Sequence, residues 1–558
     1  MMKRINIIGK LILVSLFVTT FSPSCTNLDE ELYDVVIPED FLKGEEQYVA
    51  YLGQAYTKLK DYGTGGHMQL SQGSADQGVY PTRGTDWNDG GVHRRRQMHT
   101  WTFEDTGGTW DLAFSGISDC NRLTESYLVL IEDGLIDVEV ANRFIGELAG
   151  LRAFFYYLLI DAYGNVPIVT EFSTADPAPA TKSRKEVFDF IIAQLDEWAP
   201  KLEVEVGGAA YGRVNYWTAK AIEAKMHLNA EVWSGTANWD GVIAACDEII
   251  NSGKFNLEAN FFTNFDVENG VSKEFIFAIP YDKVFFKGFN LSFHTLHYGN
   301  RDTYNLTGNP WNGFCTMEEF YNSFDDKDLR KGEPGTLDGP ATKRGTFLVG
   351  YQYKLNGELV IDDADGSKDP DGPPVNFMPN LSTIGPNTLR QEGARVGKWE
   401  FEIGGTDNMS NDFAVFRYAD ILLMKAEAIW RKTGNPADAT ALALVNQVRT
   451  THGGNEIGLL TTLDGPISFK IEEGSVAGGE LLNERGRELA FEMHRRQDLI
   501  RWGVFGEVAK WSPPTGVSDD KPFNSDPTRT IFAIPRNQLE NNRNLIQNPG
   551  YTSAGAGG

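Results

Sequence analysis

The sequence predicts a mainly α-helical fold, in which tetratricopeptide-like helix pairs form a scaffold carrying a large irregular, loop-rich insertion with few short strands. Three observations predict it. Trp217, Ala221, Ala224, Leu228 and Val232 recur at steps of four and three, which draws one apolar stripe along a helix, with alanines where a partner helix can approach. A second helix follows over Trp239–Asn251, closed by Ser252-Gly253. The same arrangement returns near the C-terminus: a stripe at Tyr418, Leu422, Ala426 and Ile429, a break at Gly434-Asn435-Pro436, and a helix over Ala437–Thr450. Two such units of about 35 residues match the repeat length of tetratricopeptide pairs, although ordinary α-hairpin packing gives the same pattern. The third observation is the change of character between Phe255 and Asp412, where Gly, Pro, Asn and Asp are dense and helical period is scarce. A stretch that long is implausible as a bare loop, so it reads as an irregular insertion packed on the scaffold.

Taken in order, the chain opens with Lys3, Arg4 and Lys10 and an apolar or hydroxyl run from Leu11 to Phe21. At about 1.5 Å per residue that run cannot cross a hydrocarbon core of roughly 30 Å, so residues 1–24 read as a signal peptide. Ser24 precedes Cys25, the placement of a lipidated cysteine in bacterial lipoproteins, although Ser22 and Pro23 are a loose match to the usual lipobox. Residues 25–40 (from Thr26 on, TNLDEELYDVVIPED) are acidic and without helical period, which suits a tether between a lipid anchor and the folded body. The body is then helical over 41–254, irregular over about 255–412 and helical again over 413–558. Helical signal on both sides of the insertion argues for one domain over 41–558.

Composition excludes several functions. The 558 residues carry 51 Lys plus Arg against 77 Asp plus Glu, a net charge of -26. Such a field repels a phosphate backbone, so no nucleic-acid partner is expected, and a neutral or cationic ligand is favoured. With Cys25 lipidated, Cys120, Cys246 and Cys315 remain, widely spaced; they read as small buried apolar residues, with no disulfide framework.

Catalytic signatures are missing: the chain has no HExxH, GxSxG, GxxxxGK[ST] or helix-opening GxGxxG. His294 and His297 have HxxH spacing but lie among Phe and Tyr, and read as packing or hydrogen-bonding residues. Asp362, Asp363, Asp365, Asp369 and Asp371 offer hard oxygens around a glycine turn, but Ile361 stands where an EF-hand needs a ligand. That stretch is read as a solvated acidic turn, and no metal or cofactor is expected.

Five segments are more specific. Arg152–Ile168 (RAFFYYLLIDAYGNVPI), Phe416–Ala428 (FRYADILLMKAEA), Asn483–Gly503 (NERGRELAFEMHRRQDLIRWG) and Ile531–Tyr551 (IFAIPRNQLENNRNLIQNPGY), with the stretch Ser74–Trp110 containing VYPTRGTDWNDGG and HTWTF, resemble hallmark stretches of the SusD-like (RagB-like) lipoproteins. The resemblance implies an outer-membrane, cell-surface lipoprotein that captures oligosaccharides and passes them to a partner SusC-like TonB-dependent transporter, without catalysis. Two alternatives stay open: a peptide-binding member of the same fold, and a glycoside hydrolase whose carboxylates are not recognisable. The acidic Asp29-Glu30-Glu31 after Cys25 resembles a surface-export signal. Read from the residues alone, the alternating charges of Asn483–Gly503 predict an ion-pair lattice along one helix rather than an arginine cluster for an anion.

A neutral sugar presents C–H faces and a rim of hydroxyls, so its site needs exposed aromatic planes flanked by carboxylate, amide or guanidinium groups. Trp198, Trp217, Trp233, Trp430 and Trp502 fall in helical patterns and are expected in the core. Trp87 and Trp311 sit instead among Gly, Asn, Asp and Pro, and the resemblance pairs these two regions as an aromatic platform. Tyr298 and Tyr304 are candidates for a third plane, and Asp76, Arg83, Asp86 and Asn88 for hydroxyl contacts.

Overall fold

The computed structural model describes residues 44–362, 372–458, 460, 471–472, 475–476, 480–506, 513–517 and 523–551. The chain divides into two units, Met1–Tyr48 and Val49–Gly558; the helical scaffold, the insertion and the loops of the candidate site all belong to the second. Cys25, the apolar run before it and the acidic tether lie outside the described residues, as do the aspartates at 363, 365, 369 and 371.

The mainly helical class holds, with strands that are few and short. Its axis is the helix Val138–Ala162, in which every residue from Phe144 to Ile160 is buried. A helix buried on all sides must be covered on all sides, and its charged Glu147 and Arg152 are paired with Arg213 and with Asn121 and Gln194; Gly107–Glu132 and Arg184–Trp198 both pack against it. The approach of Gly107–Glu132 depends on Gly116, where a Cβ would lie 2.2 Å from the Phe155 ring. Local signals start the helices as written: the Asp137 side chain accepts from two backbone N–H groups, and Ser183 with Glu186 closes a capping box.

The two helix pairs are present. Tyr216–Leu228 packs on Trp239–Asn251, Tyr418–Thr433 packs on Ala439–Thr451, and Trp239–Asn251 also packs on Tyr418–Thr433, so the pairs stack. The stripe that ran to Val232 is interrupted at Asn229, after which a short helix Ala230–Ser234 begins. Gly434, in the left-handed region at φ 66°, ends the first helix of the second pair. Of the tryptophans expected in the core, Trp217 and Trp233 are buried, whereas Trp198, Trp430 and Trp502 are half-buried. Trp430 and Trp502 stack on each other, their centroids 4.9 Å apart.

The insertion leaves and re-enters the scaffold at one place. Strand Phe275–Ile279 pairs antiparallel with Phe413–Arg417, Phe275 opposite Arg417 and Ile279 opposite Phe413, and both are fully buried. The chain between them is irregular, with short helices such as Leu291–Thr295 and Asn300–Tyr304 and two-residue strand pairs.

Asn483–Gly503 departs from the single helix expected. Helix Glu480–Glu488 ends, Phe491 (φ 62°) and Met493 (φ 68°) turn the chain through the left-handed region, and Arg495–Arg501 starts a second helix. The ion-pair lattice itself is present and almost wholly buried. Arg417 bonds Glu274, Glu488 and Glu492; Arg330 bonds Asp328, Glu484 and Glu488; Arg485 bonds Asp420 and Asp498; Arg501 bonds Glu427 and Asp498. Lys225 joins through Asp420 and Lys398 through Glu492. His452 lies between Glu274 (3.2 Å) and Glu488 (3.0 Å). These three have the proximity of metal ligands, but Arg417 and Arg330 share their carboxylates, so the cluster is an ion-pair knot.

Burial alone would push the His452 imidazolium toward deprotonation, but the Glu488 and Glu274 carboxylates reverse this and raise its pKa from 6.5 to about 9. Its stabilising contribution is therefore complete below pH 6.5 and lost as pH rises through about 9. Lys398, driven down to about 8 by burial, runs the other way over part of that range. The clean observable is thus the stability difference between the wild type and His452→Gln, which should be largest at or below pH 6.5 and shrink through about pH 9 in urea melts. A difference that grows toward alkaline pH would overturn this charge assignment. Arg417→Met, which leaves three buried carboxylates under-paired, should cost roughly 3–5 kcal/mol. The exposed pair Lys185–Asp189 should contribute less than about 1 kcal/mol.

Candidate functional site

Two loops meet on a frame set by the lattice. In the first, Asp76 takes a two-bond grip from Arg495, at 2.8 and 2.7 Å. Gln77 donates to the Gly486 carbonyl (2.9 Å) and accepts from the Phe491 N–H (3.1 Å). The next residues, Gly78 and Val79, pair antiparallel with Thr316 and Cys315 of the second loop. The chain on either side of this two-residue ribbon carries Trp87 and Trp311.

Trp87 and Trp311 come together. The Trp87 Nε1–H donates to the Trp311 carbonyl at 2.7 Å, and both rings lie against His294, with centroids 5.3 and 4.9 Å away. The Trp87 ring is tilted over Tyr80 (4.9 Å) and meets His93 edge-on (5.7 Å), while Phe293 closes the back of Trp311 (5.5 Å). Trp87 is half-buried, and Trp311 remains 38% exposed, enough to present part of its indole to solvent. The imidazoles beneath are neutral at pH 7. Burial lowers His294 to about 3, and burial with the Arg96 charge lowers His93 to about 4.

The backbone here is held in a costly conformation. Trp87 has φ 58° and Asn312 φ 50°, the left-handed region that a bulky residue such as Trp seldom occupies. Asn312 is locked from every side: its carbonyl accepts from Arg83 (3.1 Å), its side-chain oxygen from Arg395 (2.8 Å), and its amide donates to the Arg390 carbonyl (3.1 Å). Gly313 leaves space for the Trp87 ring, since a Cβ there would lie 2.3 Å from it. Around the two indoles, Tyr298 donates to Asp86, and Asn88 accepts from Arg94 at 3.1 Å. Asp86 and Asn88 are exposed and Tyr298 is half-buried. Burial and the Asp86 carboxylate raise the Tyr298 pKa, so its hydroxyl stays protonated and donating.

The expected residues therefore divide. Trp87, Trp311, Tyr298, Asp86 and Asn88 form one surface. Asp76 and Arg83 do not join it: Asp76 is buried and spent on Arg495, and Arg83 is buried with its guanidinium on the Asn312, Leu389 and Glu392 carbonyls. Both act by holding the loops. Tyr304 faces a different cavity, at the far end of the helix Asn300–Tyr304. Asp362, read as part of a solvated turn, is buried and bonded to Arg390 and Gln391, with His297 3.4 Å away. His294, read as a packing or hydrogen-bonding residue, does both, packing under the two indoles and bonding the Tyr80 hydroxyl at 3.0 Å; sequence reasoning missed Tyr80 and His93 as the rest of that floor. Asn312-Gly313, a strong turn dipeptide directly after Trp311, was the one signal available for the strained bend.

Comparison with known proteins bears on this geometry. The SusD family model matches residues 273–551, half of the chain, from the first strand of the insertion boundary to the last described residue. The chain belongs to the SusD family. A SusD-like protein of Formosa agariphila is 23% identical over 574 residues, covering 97% of this chain and 99% of its own. The starch-binding protein SusD of Bacteroides thetaiotaomicron is 24% identical, covering 75% of this chain and 74% of its own. Among solved structures, a SusD superfamily protein from Parabacteroides distasonis superposes with TM-score 0.67 at 20% identity, covering 91% of this chain and 99% of its own. A laminarin-binding SusD-like protein gives TM-score 0.64 at 20% identity, over 91% and 100%. Among the described residues of this SusD-family chain, no helix is long and apolar enough to cross a membrane.

If Gly313 is what admits the Trp87 ring, Gly313→Ala should expel that ring while the helical scaffold stays folded. The expected outcome is an unchanged far-ultraviolet circular dichroism spectrum with an altered near-ultraviolet tryptophan signal. An unchanged near-ultraviolet spectrum would count against the tight seating of Trp87 on this loop.

Proposed function

We propose that this protein is a non-catalytic, cell-surface glycan-binding lipoprotein that captures oligosaccharides and delivers them to a partner SusC-like TonB-dependent outer-membrane transporter. The observation that carries the reading is the convergence of Trp87 and Trp311, from loops more than two hundred positions apart in the sequence, into one part-exposed aromatic surface rimmed by Asp86, Asn88 and Tyr298. Indole faces match the C–H patches of a sugar ring, and the carboxylate, amide and phenol match its hydroxyls. The rigid frame beneath suits binding, since a platform already in place loses little freedom when ligand arrives. The net charge of -26 favours a neutral ligand over an anionic one. The starch-binding and laminarin-binding relatives support the same ligand class.

In this reading residues 1–24 are a signal peptide, Cys25 is acylated, residues 25–40 are a tether and 41–558 form one SusD-like domain. Two or more acyl chains would anchor the protein stably, where one is marginal. Contact with the transporter would bury more than about 1,000 Å².

Two measurements test the proposal. On a glycan array followed by calorimetry, Trp87→Ala and Trp311→Ala should each weaken the cognate oligosaccharide by roughly 1–3 kcal/mol, the range of truncated hot-spot aromatics, with the fold intact by circular dichroism. Unchanged affinity in the double variant would reject the site. In cell fractionation, Cys25→Ala should release the protein from the outer membrane while ligand binding persists; retention in the membrane would reject acylation at Cys25 as the anchor.

A further inference from the structure

The cavity that Tyr304 faces lies within the insertion and has a volume of about 380 Å³, the size of a small-molecule pocket. Its walls include three half-buried tyrosines, Tyr304, Tyr351 and Tyr353, together with Trp399 and Phe401. Tyr304 meets Phe401 edge-on at 5.2 Å, and Trp399 is held from behind by stacking on Phe413 at 5.6 Å. The cavity is thus aromatic on several sides and rigid at its base. Its cations are answered locally, Lys343 by Glu333 and Arg344 by Asp266 at 2.6 Å, while Glu400, exposed in the lining, accepts from the Val267 N–H at 2.9 Å. What it offers a ligand is the phenol hydroxyls of Tyr304 and Tyr351. Trp399 is 1% exposed, and its Nε1–H is buried with no hydrogen-bond partner among the described residues. Leaving such a donor unanswered costs about 1–3 kcal/mol, and, sealed from solvent, it belongs to the cavity's wall and not to the contacts open to a ligand. The Arg344 Nε–H, on the same wall, is likewise buried and unanswered.

We infer that this cavity is a second carbohydrate-binding site, separate from the Trp87–Trp311 surface, taking a neutral sugar of one or two rings. Aromatic rings with phenol hydroxyls among them fit the C–H patches and hydroxyls of a neutral sugar. They fit an anion poorly, because the cavity's cations are already paired and Glu400 adds a carboxylate, and a purely apolar ligand poorly, because it would cover the tyrosine hydroxyls and that carboxylate without answering them. The site has its own walls and shares none of the residues of the first surface. Tyr304 of the cavity stands only six positions from Tyr298 of the first surface, at most about 20 Å of chain, so one oligosaccharide long enough to reach both would gain from intramolecular capture.

Saturation-transfer NMR and calorimetry on the full chain test this, with glucose, galactose, mannose, xylose, maltose and cellobiose as short probes and maltoheptaose and laminarihexaose as long ones. Three variants are compared: Trp87→Ala/Trp311→Ala, Tyr304→Ala/Tyr351→Ala, and Ala341→Trp, which fills the cavity mouth without removing a packed ring. At least one probe should lose tenfold or more in affinity in both cavity variants while still binding the tryptophan variant. If no probe's binding responds to either cavity variant, the second site is rejected, whatever the first surface does. If the tryptophan variant binds every probe like the wild type while the cavity variants do not, the first surface is rejected and the cavity stands.

Discussion

A guanidinium taken out of water is strongly destabilising unless carboxylates answer its charge, and in this protein that requirement knots the chain together. Arg417 at the end of a strand, Arg330 in the insertion, Arg485 and Arg501 on the two C-terminal helices and Lys225 on the scaffold are all buried against carboxylates drawn from distant segments. The mutual attraction of such groups roughly repays their desolvation, so the lattice is a weak source of net stability. Its effect lies in exclusivity: any other arrangement of these segments strands a charge in the interior. The lattice therefore selects one mutual placement of scaffold and insertion, and Asp76–Arg495 extends that placement to the loop bearing Trp87.

The strained bend at the aromatic surface depends on that placement. A left-handed tryptophan and a left-handed asparagine persist only where neighbours over-determine them. Here the neighbours are Arg83 and Arg395, whose bonds go mostly to backbone carbonyls, and the Arg390 carbonyl, which accepts from Asn312; together they fix the path of the chain. Positive side chains near a proposed ligand surface invite a reading as ligand contacts, but once buried they serve as braces. Asp76 and Arg83 were misread in the sequence for this reason: their types suit a sugar's hydroxyls, and type says nothing about burial.

The scaffold was legible because its signal is periodic. The stripe from Trp217 and the helix Trp239–Asn251 emerged nearly as read, and the second pair lies within a residue or two of its expected limits. The helix through Asn483–Gly503 was misread because its charges keep helical spacing across a turn at Phe491 and Met493 that no glycine or proline announces. The pairing of Trp87 with Trp311 came from resemblance, since no local pattern can report a contact made across the fold. His294 was legible as a packing residue, but its place with Tyr80 and His93 under the indoles was not, for the same reason. Tyr304 was placed with the wrong partners: it stands six residues from Tyr298 in sequence, yet the short helix ending at Tyr304 turns it toward Trp399 and Phe401.

The antiparallel pair Phe275–Ile279 and Phe413–Arg417 has a further consequence for the family's diversity. Because the long excursion starts and finishes at adjoining strands, its closure is fixed by the sheet and not by its own length. Doubling such an excursion adds only about 0.6 kcal/mol of closure entropy. Loops between these anchor points can therefore be lengthened, shortened or exchanged at small cost to the helices behind them, provided the stretches that carry Arg330 and Lys398 into the lattice are kept. In effect the strand pair works as the socket of an interchangeable cassette, a construction under which recognition surfaces can diversify quickly while the helical chassis changes slowly.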